Sequence, residues 1–270
     1  MELSNPRRVW RICSAVLIVL LFVIPIAYAV VISIEPPGQY VAHPLAPPTT
    51  IDLQNYSSAW QQGDLGPELF NTAIYAVLGA GVSTVLSLMI AFPVARRLVR
   101  WATPLYRFLV IGICIPLPII PLFVEARDLH LYNNAAGYTI LHVEPGLPLG
   151  VILLTAFVST IPRELDEASW LFGCGYFRYL ITVIGRLAWP SMVITFLYSL
   201  LGVWNDLISP VVLLANPSLY PVTQGVYSFY SSDQSAYTLL AAAVLIVSAP
   251  VVVLFLVSQR QLIRATMGGG

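Results

Sequence analysis

The side chains best suited to specific chemical contacts lie between residues 160 and 190. Six of the 26 charged residues fall in this stretch, in a chain that is otherwise strongly apolar. They are Arg163, Glu164, Asp166, Glu167, Arg178 and Arg186. The sequence contains neither H-E-x-x-H nor G-x-S-x-G, and no His/Asp cluster falls within an apolar segment, so we assign no catalytic residue. The charged stretch therefore indicates a docking site for a soluble partner.

Two short helices joined by a turn are predicted for this segment, which we call the elbow (residues 160–190). Acidic residues in the first turns suit the positive end of a helix. Apolar or small residues recur at helical spacing in each half. They are Leu165, Ala168, Ser169 and Phe172, followed by Phe177, Leu180, Ile181 and Ile184. Gly173-Cys174-Gly175 breaks the pattern, because glycine supplies the positive φ of a sharp turn.

An alternative is that the elbow is an amphipathic hairpin lying on lipid. This alternative fits poorly, because the first helix is acidic and an anionic leaflet would repel it.

Composition identifies a polytopic membrane protein. The chain is 58% hydrophobic and 10% charged, with a mean hydropathy of +0.81, whereas soluble domains have about 25% charged residues. Its zero net charge offers no basic field for nucleic acid. The three cysteines and three histidines have no metal-ligand spacing, so no metal site is predicted.

Six apolar segments reach the length of about 20 residues that a membrane-spanning helix needs. They are Ile12–Ile34, Phe70–Ala95, Tyr106–Val124, Tyr138–Ile161, Leu187–Leu214 and Tyr237–Ser258. The fourth is expected to begin properly near Leu147, since Pro145 and Pro148 interrupt its start. The first resembles a signal peptide but is too long, so we interpret it as an uncleaved span. The predicted fold is all-α with six transmembrane helices.

Arginine placement predicts the orientation of these spans. Twelve of the 13 arginines fall on one side of the six segments, and only Arg127 falls on the other. Because basic residues accumulate in cytoplasmic loops, we expect both termini and the loop 162–186 to be cytoplasmic.

The elbow resembles a known motif. Glu167-Ala168-Ser169, then three residues and Gly173, is similar to the EAA-x3-G loop of ABC importer permeases. Five further matches occur along most of the chain. They are Asn55-Tyr56, Asn71-Thr72, Ser159–Leu165 (S-x-I-P-x-E-L), Trp204-Asn205-Asp206 with Pro210, and Gln259-Arg260. The chain most resembles the smaller, maltose-type permease subunit of carbohydrate importers.

Three residues of the elbow depart from the family pattern. Phe172 replaces an aspartate, Ser169 replaces the second alanine, and Arg186 stands where the first of two prolines is expected, while Pro190 matches the second. The shape of the loop is preserved by these changes, but its polar contacts are altered.

The resemblance implies a type I ABC importer permease, with residues 1–270 forming one transmembrane domain and 162–186 forming a coupling loop. This chain lacks lysine and therefore has no Walker A motif. The resemblance implies that a cytoplasmic ATPase dimer binds the ATP and Mg²⁺ instead. A second, homologous permease and an external substrate-binding protein would complete the importer in a bacterial or archaeal inner membrane. The implied ATPase-coupling residues are Glu164, Glu167, Ala168, Ser169 and Gly173.

Four residues late in the fifth segment are candidates for the substrate path: Tyr198, Trp204, Asn205 and Asp206. An ionisable group at membrane depth is a functional candidate by default. Aromatic side chains suit sugar contact, although they also form ordinary belts at membrane interfaces. The alternative is that Asp206 lies at the membrane interface and has no role in substrate binding.

The leading hypothesis is therefore an importer permease for a sugar or oligosaccharide, and not an enzyme. Glycerol phosphate and polyamines are alternative substrates, although the absence of an arginine cluster facing the cavity argues against a phosphate. The competing classes are an intramembrane enzyme and a membrane scaffold. A scaffold would not need the elbow.

Overall fold

The computed structural model describes residues 6–44, 46–231 and 237–267, and this part of the chain is helical without strands. The helices are α1 (Pro6–Ser33), α2 (Pro37–Ala42), α3 (Gln54–Gln62), α4 (Leu65–Arg96), α5 (Ala102–Ile113), α6 (Ile119–Asp128), α7 (Ala135–Leu141), α8 (Leu147–Thr160), α9 (Glu164–Leu171), α10 (Tyr176–Tyr179), α11 (Gly185–Leu187), α12 (Trp189–Trp204), α13 (Ile208–Leu213), α14 (Val222–Ser231) and α15 (Tyr237–Met267). A π-helical turn, Leu180–Ile184, joins α10 to α11.

Three of these helices, α1, α4 and α15, are long and apolar enough to cross a membrane. Two bent pairs raise the number of candidate spans to five. The first pair is α8 with α9, bent by 82°, and the second is Tyr176–Leu187 with α12, bent by 84°. The prediction of an all-helical protein with several spans is confirmed.

Three of the six predicted segments are interrupted and do not form single helices. The third breaks between α5 and α6, because Pro116 and Pro118 disfavour helical geometry in the residues before them. In the fourth, α8 begins at Leu147, as predicted. The fifth pauses between α12 and α13.

The chain forms two compact units, and the first comprises residues 1–66 and 225–250. In this unit, the buried Asn55 side chain donates to the carbonyls of Ser33 (3.0 Å) and Glu35 (2.9 Å). The Tyr56 hydroxyl lies 2.7 Å from the hydroxyl of Ser33. The Asn55-Tyr56 motif therefore attaches α3 to the end of α1, where helical carbonyls lack partners.

The second unit comprises residues 67–224 and 251–270. Its apolar core joins α4, α8 and the second half of the elbow. The buried members are Leu88, Ala91, Phe92, Val151, Leu154, Val158, Ile161, Tyr179, Leu180, Ile184 and Ala188. Because the elbow contributes to this core, its second half is part of the folded unit.

Small residues allow α4, α8 and α12 to approach closely in the second unit. A side chain on Gly150 would meet Ser87 of α4 and, at 2.7 Å, the methyl group of Thr195 in α12. Gly146 faces the hydroxyl groups of Ser83 and Ser199 in the same way. Small residues four positions apart are a common means of close helix packing in membranes.

Replacing Gly150 with alanine is expected to destabilise the protein by about 1–3 kcal/mol, because the added methyl group overpacks this contact. The measurement is the thermal unfolding midpoint of the purified protein in detergent. Gly81→Ala is the matched control, since nothing lies within 4 Å of a methyl group there. Equal midpoints for the two variants would contradict the close packing.

Candidate functional site

The elbow folds as the predicted helix, turn and helix. α9 ends at Leu171, and Gly173 then adopts the left-handed conformation with φ of 68°. The amide of Gly173 donates to the carbonyl of Trp170 (3.0 Å), and the amide of Cys174 donates to that of Ser169 (2.9 Å). This pair of bonds is a Schellman cap, which explains why glycine is needed at position 173.

An exposed apolar tip, Trp170–Phe172, lies at the end of α9. The exposed fractions of Trp170, Leu171 and Phe172 are 67%, 87% and 89%. A contiguous exposed apolar patch on a folded protein indicates an interaction site. Of the predicted coupling residues, Glu164, Glu167 and Gly173 are exposed, whereas Ala168 and Ser169 are half-buried. The half-buried pair supports α9, and the exposed residues are free to meet a partner.

A buried arginine attaches α9 to the rest of the second unit. The Nε atom of Arg96, in the last turn of α4, lies 2.7 Å from Oδ2 of Asp166. Its Nη2 donates to the carbonyl of Ile161, at the end of α8, over 3.0 Å. The Tyr179 hydroxyl donates to the other oxygen of Asp166. Four segments of the chain therefore meet at one ion pair.

This arrangement was not predicted from the sequence. Arg96 appeared only as one of many cytoplasmic arginines, and Asp166 only as one of three acids in α9. Their positions differ by 70 residues, so no local pattern connects them. One local signal existed, since a cation in the last turn of a helix is stabilised by the helix dipole.

Tyr179 is a permanent hydrogen-bond donor to this ion pair. Burial, together with the bond to Asp166, raises the pKa of the Tyr179 phenol well above its usual value. The phenol therefore keeps its proton at physiological pH and remains a hydrogen-bond donor to Asp166.

A cavity of about 500 Å³ lies in the second unit, apart from the elbow. Its walls are largely apolar, with a few polar groups. The residues that matter here are Leu122, His142, Gly146, Tyr198, Ser199 and Asp206. An apolar cavity with a small number of placed polar groups is the usual form of a site for a small molecule.

Asp206 is the most highly connected polar residue at this cavity. Its Oδ2 lies 2.7 Å from Nε2 of His142 and 3.4 Å from the Tyr138 hydroxyl. Its Oδ1 accepts from the amides of Ile208 and Ser209, both at 3.1 Å. The carboxylate thus caps the start of α13 and attaches it to α7.

The four predicted substrate-path residues do not all face the cavity. Tyr198 and Asp206 line it. Trp204 is buried at 8% exposure, and the Asn205 side chain is exposed and donates to the carbonyl of Leu201 over 2.8 Å. His142 also lines the cavity and was not predicted, because a lone histidine carries no recognisable pattern. The expectation that no histidine and aspartate cluster within the apolar segments was wrong, since His142 of the fourth segment contacts Asp206 of the fifth.

The Asn71-Thr72 motif stabilises a loop of the second unit through hydrogen bonds. The Asn71 amide donates to the carbonyls of Ser218 (2.9 Å) and Tyr220 (3.1 Å). The Thr72 hydroxyl accepts from the amide of Val222 over 2.8 Å. These bonds hold the loop before α14 against α4.

Comparison with known proteins gives one family and several relatives. Residues 83–267 match the family model described as "Binding-protein-dependent transport system inner membrane component". The chain is 27% identical to the diacetylchitobiose uptake system permease protein NgcG of Streptomyces coelicolor, over 98% of this chain and 90% of the relative. It is 28% identical to the melibiose/raffinose/stachyose import permease protein MelC of Bacillus subtilis, over 91% and 90%.

The fold also matches a solved structure. A chain in the crystal structure of a bacterial ABC transporter that imports the acidic polysaccharide alginate superposes with a TM-score of 0.82. The match covers 96% of this chain and 99% of that chain, at 22% identity. The type I ABC importer permease fold predicted from the sequence is thereby confirmed.

Replacing Asp166 with alanine is expected to destabilise the protein by about 3–5 kcal/mol, because it leaves the Arg96 guanidinium buried without its counter-ion. The thermal unfolding midpoint in detergent measures this loss. Glu167→Ala is the matched control, since Glu167 is the neighbouring acid and is exposed. If both variants unfold at the wild-type temperature, the ion pair does not hold the elbow.

Proposed function

This chain belongs to the family of inner-membrane components of binding-protein-dependent transport systems, and on that premise we propose that it is the permease subunit of an ATP-driven importer of a sugar or oligosaccharide. The exposed tip on an anchored elbow is the observation that carries the coupling part of the proposal. The relatives named for diacetylchitobiose and for melibiose, raffinose and stachyose support the substrate class.

The elbow is proposed to dock into a groove on a cytoplasmic ATPase. Trp170, Leu171 and Phe172 would enter the groove, since large exposed side chains supply most of the energy at such contacts. Glu164 and Glu167 would meet cations at the rim of the groove. ATP and Mg²⁺ belong to the ATPase dimer in this proposal, and this chain supplies the moving element.

Coupling then proceeds through the ion pair of the elbow. When the ATPases close, α9 is displaced, and Arg96 transmits the displacement to α4 and to the end of α8. Because α4 is a continuous helix from Leu65 to Arg96, motion at one end reaches the other. Alternating access of the transport path would result.

The proposed orientation places both termini and the elbow in the cytoplasm, as the twelve arginines on that side favour. The external side would receive substrate from a binding protein. A second permease, homologous to this chain, would supply the other half of the transport path.

The cavity beside Asp206 is the proposed contact with substrate in this chain. The Tyr198 ring, 51% exposed, offers an apolar face to a sugar ring. The described residues around the cavity include no arginine, which favours a neutral sugar over a phosphate. Asp206 is already engaged by His142, Tyr138 and two amides, so it is poorly available to a polyamine.

Replacing Phe172 with serine is expected to weaken ATPase binding by about 30-fold. The proposed complex buries the Phe172 ring, and removing such an aromatic anchor costs about 2 kcal/mol. Co-purification of the ATPase with the full-length permease measures the effect. Phe108→Ser is the control, since Phe108 is 70% exposed and lies outside the elbow. Wild-type recovery of the ATPase with Phe172→Ser would contradict docking through the tip.

Replacing Tyr198 with alanine is expected to lower uptake of a radiolabelled oligosaccharide by about tenfold, which corresponds to the loss of roughly 1.4 kcal/mol of contact. Co-purification of the ATPase should be unchanged. The control is Tyr230→Ala, an exposed tyrosine that does not line the cavity. Equal uptake by both variants would place the substrate elsewhere.

A further inference from the structure

A second cavity, which we call the basal groove, lies between α4, the second half of the elbow and the start of α12. Its volume is about 540 Å³. Among the described residues around it, one carries a charge, namely Arg186, and the others are mostly large and apolar. The members used below are Met89, Phe177, Ile181, Arg186 and Trp189.

The apolar face of the second helix of the elbow is divided between the core and this groove. Leu180 and Ile184 are buried at 2% and 0% exposure. Phe177 and Ile181 line the groove and are 63% and 69% exposed. The sequence placed these four residues on one face, but only half of that face is covered by the protein. The other half is open to an apolar occupant from outside the chain.

The direction of the elbow relative to α12 bears on where the groove lies in the membrane. The segment Tyr176–Leu187 meets α12 at 84°. If α12 crosses the membrane, this segment runs along the membrane surface. Trp189, at the corner, is 56% exposed, and tryptophan is enriched where acyl chains meet headgroups.

The charge at the groove is positive. Arg186 is exposed and forms no ion pair with a carboxylate of the described residues. The segment Tyr176–Leu187 contains two arginines and no acid, whereas α9 contains three acids. The two halves of the elbow therefore differ in charge, and only the acidic half is repelled by an anionic leaflet.

We propose that the basal groove binds an anionic phospholipid, with one acyl chain against Phe177, Ile181 and Met89 and with the phosphate on the Arg186 guanidinium. Arginine matches phosphate oxygens with two parallel hydrogen bonds. Because Phe177 and Ile181 belong to the elbow, the bound lipid fixes the angle between the elbow and α12. The cytoplasmic placement of the lipid rests on the proposed function.

The test is lipid retention by the full-length protein, purified in detergent after incubation with phosphatidylglycerol or phosphatidylcholine and analysed by native mass spectrometry. We expect the wild type to retain phosphatidylglycerol preferentially and Arg186→Gln to retain about tenfold less, as loss of a charge-assisted hydrogen bond implies. Arg178→Gln is the matched control, because Arg178 belongs to the same segment, Tyr176–Leu187, but does not line the groove. Ile181→Glu, which places a carboxylate in the groove, should also lose the lipid.

Three results of the lipid-retention experiment would overturn the proposal. They are equal retention by Arg186→Gln and Arg178→Gln, equal retention of the two lipids by the wild type, and displacement of lipid by inorganic phosphate alone. Capture of a second permease by a cross-linker at Ile181→Cys, without lipid, would assign the groove to a protein partner instead.

Failure of this proposal is distinguishable from failure of the proposed function. Lipid retention needs no ATPase. If Arg186→Gln loses the lipid but still co-purifies with the ATPase, the result bears on the groove and not on ATPase docking. Loss of ATPase binding in Phe172→Ser with normal lipid retention concerns the tip alone.

Discussion

The ion pair between Arg96 and Asp166 is the constraint on which the elbow depends. Arg96 is buried, so its guanidinium needs partners, and it finds them in Asp166 of α9 and in the carbonyl of Ile161 at the end of α8. Buried ion pairs add little net stability over apolar packing, but breaking one is costly. The pair therefore acts mainly on geometry: it fixes where α9 lies relative to α4. Tyr179 and the apolar core beneath it support the same arrangement.

Polar side chains also support the places where helices are interrupted. In a membrane, irregular backbone is tolerated only where its polar groups find partners. Asp206 accepts hydrogen bonds from the first amides of α13 and contacts His142, which directly follows α7. These contacts stabilise the chain where it is interrupted between α12 and α13. Asn71 does the same for the loop before α14. Three of the motif residues that made the family recognisable, Asn55, Asn71 and Asp206, thus stabilise the structure through hydrogen bonds.

The sequence predicted local features well. Composition predicted a helical membrane protein, the helical spacing predicted both halves of the elbow, and Gly173 marked the turn. Contacts distant in sequence could not be predicted, because periodicity identifies a face without identifying what covers it. The partner of Arg96 and the division of the elbow's apolar face are of this kind. The break in the third segment could have been predicted from Pro116 and Pro118, whose effect on the preceding residues is local.

The two bends on either side of the elbow have a mechanical consequence. α8 turns by 82° into α9, and the segment after Gly173 turns by 84° into α12. Each half of the elbow therefore lies nearly at right angles to the long helix that it joins. A force on α9 that is perpendicular to the axes of both α8 and α9 acts as a torque about α8, whereas a force along α9 is directed at the axis of α8 and produces no such torque. The direction from which the elbow is pushed then decides how much of the work reaches α8 and α12.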